Sequence, residues 1–102
     1  LDLEKYINQQ IKFSTKTFGP GQRDEGIIDH IKKELKEIKE SPGDLEEWID
    51  VIILALDAAW RNGFSAKEIC EMLFFKHNKN QKRKWPDWEK AEIGKAIEHI
   101  RE

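Results

Sequence analysis

With 102 residues and a formal charge of −2, the chain has room for one domain and one modest core, and it lacks the excess of basic charge that drives nonspecific nucleic-acid binding. The single cysteine, Cys70, excludes an internal disulfide and any cysteine-based zinc motif, which suits a reducing compartment. No apolar run approaches the roughly 20 residues of a membrane span, and the first residues lack the basic and apolar regions of a signal peptide. The expectation is therefore a soluble cytoplasmic protein that self-associates to supplement its small core.

Residues 2 to about 17 read as a mildly amphipathic helix, with Tyr6, Ile7, Ile11 and Phe13 as its apolar members. Phe18-Gly19-Pro20-Gly21 stops it. A second helix is predicted over 24–40, where Ile28, Ile31, Leu35 and Ile38 form the apolar stripe and His30, Glu34 and Glu37 lie beside it. Ser41-Pro42-Gly43 makes a tight turn, and Asp44 caps a third helix that runs to Asn62 and ends at Gly63. This third helix is apolar almost all round, through Trp48, Ile49, Val51, Ile52, Ile53, Leu54, Leu56 and Trp60, and is predicted to be the central, most buried element. Ser65 and Glu68 form a capping-box signature for a fourth helix over about 66–83. Trp85-Pro86-Asp87-Trp88 breaks it, and Ile93, Ala96, Ile97 and Ile100 outline a short last helix that Gly94 opposes. The fold class is all-α, a bundle of four main helices in a single domain spanning 1–102.

The chemistry lies in two acidic pairs, Glu34 with Glu37 and Glu47 with Asp50, each three residues apart and so on one helix face. The short turn between the second and third helices lets the pairs meet. A buried acidic stripe must be neutralised, either by basic side chains or by a metal, because an unpaired buried carboxylate is costly. Local alternatives exist for some of these residues. Glu47 sits where a capping box with Asp44 would place it, Asp57 where a partner four residues before Arg61 would sit, and Glu34 with Glu37 also fits a solvated charged face. Asp50 has no comparable local partner. Four carboxylates without a His or Cys constellation suit magnesium or manganese ahead of zinc, and a magnesium site with open positions points to phosphate chemistry.

Between Lys76 and Lys84 a basic run supplies Lys76, Lys79 and Arg83 at i, i+3 and i+7, with Asn80 among them. Alone it reads as a solvated face or a nucleic-acid patch, which would make the chain a helical binding module without catalysis. Beside a carboxylate-held metal it reads as a clamp for phosphates. Phe13, Phe18 and the loop between the first two helices are the candidates for stacking on a base. Trp48, Trp60, Phe74 and Phe75 fit a core or a subunit interface, Trp85 and Trp88 an anchored tail, and Cys70 a small core residue.

Glu34-x-x-Glu37 and Glu47-x-x-Asp50 match the E-x-x-E and E-x-x-D motifs of the all-α, MazG-like nucleoside triphosphate pyrophosphohydrolases. The strings Thr17-Phe18-Gly19-Pro20-Gly21-Gln22-Arg23, Asp44-Leu45-Glu46-Glu47-Trp48-Ile49-Asp50 and Lys79-Asn80 through Trp85-Pro86-Asp87-Trp88 resemble, more narrowly, its dATP/dGTP diphosphohydrolase branch. The spacer between the pairs is shorter than in many MazG relatives, which also favours that branch. Phage enzymes of the branch, called MazZ, convert dGTP to dGMP for synthesis of diaminopurine-containing DNA. The resemblance implies an antiparallel MazG-like bundle that cleaves a purine (d)NTP between the α and β phosphates, giving the monophosphate and pyrophosphate. It implies that Glu34, Glu37, Glu47 and Asp50 hold Mg2+, with Mn2+ able to substitute, and that water is the nucleophile. Glu37 is the choice for the proton acceptor. Lys76, Lys79, Asn80 and Arg83 would steady the outer phosphates, and Phe18 and Arg23 would contribute from the Gly-rich loop. By analogy with the family a homo-oligomer is expected, tetramer ahead of dimer, with no membrane and no stable nucleic-acid partner.

Overall fold

The computed structural model describes residues 2–101. Four helices, α1 (Leu3–Phe18), α2 (Asp24–Glu40), α3 (Leu45–Arg61) and α4 (Ala66–Lys82), are followed by one 3-10 turn, Trp88–Lys90. No strand occurs among the described residues, so the fold is all-α as expected. The chain divides into two compact units between Cys70 and Glu71, within α4.

In the first unit α3 packs against α2 and, less extensively, against α1. The turn that returns α3 beside α2 is tied by Asp44 N–H donating to Ser41 O at 3.1 Å and by the Trp48 indole N–H donating to Pro42 O at 2.9 Å. Ile7, Ile27, Ile38 and Ala66 are the buried apolar residues, and Gln10, Ser14, Glu34 and Arg61 are buried with them. Apolar burial is therefore too scant to define the unit alone, and hydrogen bonds join α1 to α3. Gln10 Nε2 donates to Ile53 O at 2.8 Å, Trp60 Nε1 to Gln10 Oε1 at 3.1 Å, and Ser14 Oγ to Asp57 Oδ2 at 2.6 Å.

The structure corrects three sequence expectations. The buried line of α2 passes through Ile27, Ile31, Glu34 and Ile38, whereas Ile28 and Leu35 are each 52% exposed, so Glu34 lies within the packed face and not beside it. On α3 only Arg61 is buried, while Trp48, Ile49, Ile52 and Ile53 are exposed, because α1 and α2 cover part of a helix that is apolar on nearly every side. In the second unit residues 91–101 form no helix; Gly94 takes a positive φ of 82°, and Ile100 N–H donates to Lys84 O at 2.8 Å, folding the tail onto the end of α4.

The helix starts follow their caps. Asp2 and Asp44 accept from the backbone N–H of Lys5 and Glu46 at 2.7 and 3.0 Å. At α4 the box is reciprocal: Glu68 N–H donates to Ser65 Oγ at 3.1 Å, and Ser65 N–H to Glu68 Oε1 at 3.0 Å. The bond from Ser65 N–H, and after it the Ser65 hydroxyl, favours the ionised carboxylate and lowers the Glu68 pKa. Ser65→Ala is expected to cost about 1 kcal/mol, read as a lower urea midpoint at unchanged slope.

Candidate metal centre

α2 delivers Glu34 and, one turn later, Glu37; α3 delivers Glu47 from its first turn. One oxygen from each of the three carboxylates lies within 4.8 Å of the other two. Glu34 is buried, Glu47 half-buried and Glu37 exposed, so the group opens to solvent on the Glu37 side. Glu34 Oε1 is 3.2 Å from His30 Nε2, one turn earlier on α2. Glu34 Oε2 and Glu47 Oε2 are buried with no hydrogen-bond partner.

Three close carboxylates cannot all stay ionised cheaply. Sharing of a Glu47 proton with Glu37 and, to a smaller extent, with Glu34, together with burial and the repulsion of both neighbours, pushes the Glu47 pKa up to about 7. Among the described residues no Lys or Arg pairs with Glu34, Glu37, Glu47 or Asp50. Two orphaned buried oxygens in an all-oxygen donor set are what a hard divalent cation would satisfy, so these residues fit such an ion.

Of the four carboxylates expected at the site, the structure gathers three. Asp50 is half-buried one turn beyond Glu47 on α3 and stands outside the group of converging oxygens. Glu47 makes no capping box with Asp44, since its carboxylate faces Glu34 and Glu37. Asp57 does pair with Arg61, through Arg61 Nε, and Arg61 is the centre of a larger network. Its side chain is wholly buried and stacks on the Trp60 ring at 4.6 Å. It donates to Gly19 O and Gly21 O at 2.8 and 3.0 Å and to Ser14 O and Oγ at 3.2 and 2.8 Å. Gly19 and Gly21 have φ of 87° and 89°, which turns both carbonyls toward one guanidinium, and only glycine adopts that backbone without strain. This network fixes the loop that carries Arg23, whose guanidinium lies 5.6 Å from the Phe18 ring centroid. Gln10 and Ser14 escaped the sequence reading, although with Ile7 they sit at i, i+3 and i+7 and so mark a partly polar buried face of α1.

In the second unit Lys76 and Lys79 are exposed, and Asn80 and Arg83 are half-buried. Arg83 NH1 donates to Asn80 Oδ1 at 2.9 Å, and Trp85 Nε1 donates to Asn80 O at 2.7 Å. Trp85 packs edge-on to His99 with ring centroids 6.0 Å apart, so it anchors the tail as expected. Burial lowers the His99 pKa, and Arg83, Arg101 and Lys76 lower it further, which adds Arg101 to the cations of this surface.

No helix of the described residues is long and apolar enough to cross a membrane. No curated protein and no solved structure matches the chain. The family model described as dATP/dGTP pyrophosphohydrolase matches residues 6–102.

Proposed function

Because the chain belongs to the dATP/dGTP pyrophosphohydrolase family, we propose that it hydrolyses purine deoxynucleoside triphosphates, dGTP and dATP foremost, between the α and β phosphates to the monophosphate and pyrophosphate, with a divalent metal at the acidic group. Membership makes it a nucleotide diphosphohydrolase and displaces the reading of its helices as a non-catalytic nucleic-acid module. The observation that carries the metal-centred reading is the convergence of Glu34, Glu37 and Glu47 with two buried, unpartnered oxygens and, among the described residues, no Lys or Arg paired with them.

Glu34, Glu37, Glu47 and Asp50 would hold magnesium, or manganese in its place. Such an ion supplies Lewis acidity toward a phosphoryl oxygen and toward water, and neutralises charge that builds during displacement. Glu37, the solvent-facing member, accepts the proton of the attacking water. Glu34 and Glu47 keep their carboxylates oriented through their places in the α2–α3 packing. Lys76, Lys79 and Arg83, with Asn80, neutralise the phosphates beyond the scissile bond, and Arg23 on its fixed loop adds a further cation. The exposed apolar residues of α3 support assembly into a homo-oligomer, a tetramer ahead of a dimer. A ranking that placed dGTP first would favour the dGMP-supplying phage role.

Turnover in heavy-oxygen water tests the cleavage position. Label in the monophosphate, read by mass spectrometry, is the expected result; label in pyrophosphate, or release of inorganic phosphate, would overturn it.

A further inference from the structure

The two oxygens of Glu34 have different surroundings. Oε1 lies 3.2 Å from the imidazole Nε2 of His30, whereas Oε2 is buried without a hydrogen-bond partner. His30 stands one turn before Glu34 on α2, and Glu37 one turn after it, so the three side chains share one stripe of the helix. Neither ring nitrogen of His30 belongs to the group of ligand atoms that Glu34, Glu37 and Glu47 bring together. The imidazole therefore touches a member of the acidic group from outside it. We infer that His30 is a positioning residue, which donates from Nε2 to Oε1, fixes the Glu34 carboxylate, and leaves Oε2 as the oxygen offered to a divalent cation. The inference rests on the acidic group being a metal centre.

Packing settles most of the Glu34 side chain but not its last bond. The stem lies on the buried line of α2 with Ile27, Ile31 and Ile38, and the side chain is only 10% exposed. The terminal torsion of a glutamate is broad, with no sharp staggered wells to hold it. Rotation there swings both oxygens out of line with Glu37 and Glu47. A donor on Oε1 opposes that rotation before any cation arrives, so less conformational freedom is left to lose when one binds.

The choice of side chain at position 30 fits this role. α2 carries Lys32, Lys33, Lys36 and Lys39, yet among the described residues none of them pairs with Glu34. Lys33 instead meets Asp29 at 3.3 Å, across the same one-turn spacing that separates His30 from Glu34. A lysine at position 30 could reach Glu34 in that way, but its full charge would neutralise the carboxylate and repel a dication beside it. An imidazole in its Nε2–H tautomer supplies one directed N–H and leaves the negative charge in place. Glu34 is thus oriented without being neutralised.

The test is Mn2+ affinity without nucleotide, read from the EPR signal of the free ion, for wild type, His30→Ala, His30→Gln and His30→Lys, with helix content followed by circular dichroism. His30 is 57% exposed, so the variants should keep the fold. His30→Ala is expected to raise the Kd by about tenfold to a hundredfold, the usual effect of losing a group that orients a metal ligand. His30→Gln, whose amide nitrogen can take the place of Nε2, should recover most of the affinity. His30→Lys keeps a donor but should bind no better than His30→Ala. Equal affinity in wild type and His30→Ala would overturn the inference, as would a His30→Gln protein no better than His30→Ala or a His30→Lys protein as good as His30→Gln. So would a directly coordinated imidazole nitrogen in the pulsed EPR spectrum of the Mn2+-loaded wild type that vanishes in His30→Gln, since His30 would then be a ligand itself. A wild type that bound no Mn2+ would remove the metal-centred reading, and this inference with it.

Discussion

Replacing Glu47 with glutamine is expected to stabilise the metal-free protein above pH 7 and to lower metal-dependent turnover by about a hundredfold or more. Both effects follow from the crowding of Glu47 against Glu37 and Glu34. The Glu47 pKa of about 7 in the folded chain stands above the ordinary carboxylate value. A raised folded-state pKa contributes stability that is fully present below the unfolded value and is lost as pH rises through about 7. The metal-free wild type should therefore melt at progressively lower temperature between pH 5 and 8, and Glu47→Gln should flatten that slope, because a neutral amide can donate to the neighbouring carboxylates at any of these pH values. Magnesium acts in the opposite sense. It competes with the proton for Glu47, so the thermal shift it produces in wild type should grow from pH 5.5 to 7.5 and be small in the variant. Differential scanning fluorimetry across pH, with and without magnesium, reads all of these effects. A wild-type profile without pH dependence, or a variant with full magnesium response, would show that the three carboxylates do not act as one ionisable, metal-binding group.

The largest loss of stability is expected at Arg61. Arg61→Ala leaves Asp57 nearly buried without its cation, frees the carbonyls of Gly19 and Gly21, and opens the bond to Ser14. Breaking a buried pair by removing one partner typically costs about 3–5 kcal/mol, and a unit with so few buried apolar side chains has little to spare. Arg61→Lys keeps the charge but cannot place donors on Asp57, two glycine carbonyls and Ser14 together, so it should recover only part of the loss. Urea unfolding of both variants measures this. Because the same guanidinium holds the loop bearing Arg23, a folded Arg61→Lys should also show a raised KM for nucleotide. Stability within about 0.5 kcal/mol of wild type for Arg61→Ala, the range of ordinary surface substitutions, would contradict the network's role.

Much of this architecture was legible in the residues because local chemistry determined it. Asp44 and the Ser65–Glu68 box stood where helices begin, glycines and prolines stood where they end, and a short turn between two acidic pairs brought Glu34 and Glu37 near Glu47. What escaped was whatever depended on the identity of the neighbour. α2 carries isoleucines on more than one face, and the periodicity of Ile28, Ile31, Leu35 and Ile38 gave no sign that packing would select Ile27 and Glu34 instead. The apolar girth of α3 read as burial, yet side-chain character does not reveal how much of a helix its own chain covers. Gln10 and Ser14 looked like ordinary helix-surface residues, and their importance appears only once Trp60, Asp57 and Arg61 are packed against them. In the tail, isoleucines at helical spacing could not overcome Gly94 and the hydrogen bond that folds Ile100 onto Lys84.

Anion-exchange analysis of products after incubation with each common dNTP and NTP, with and without magnesium, tests the central claim most directly. Magnesium-dependent conversion of dGTP or dATP to its monophosphate and pyrophosphate is the expected result; equal turnover in the presence of excess chelator, or no turnover of any purine nucleotide, would contradict a metal-centred pyrophosphohydrolase built on Glu34, Glu37 and Glu47.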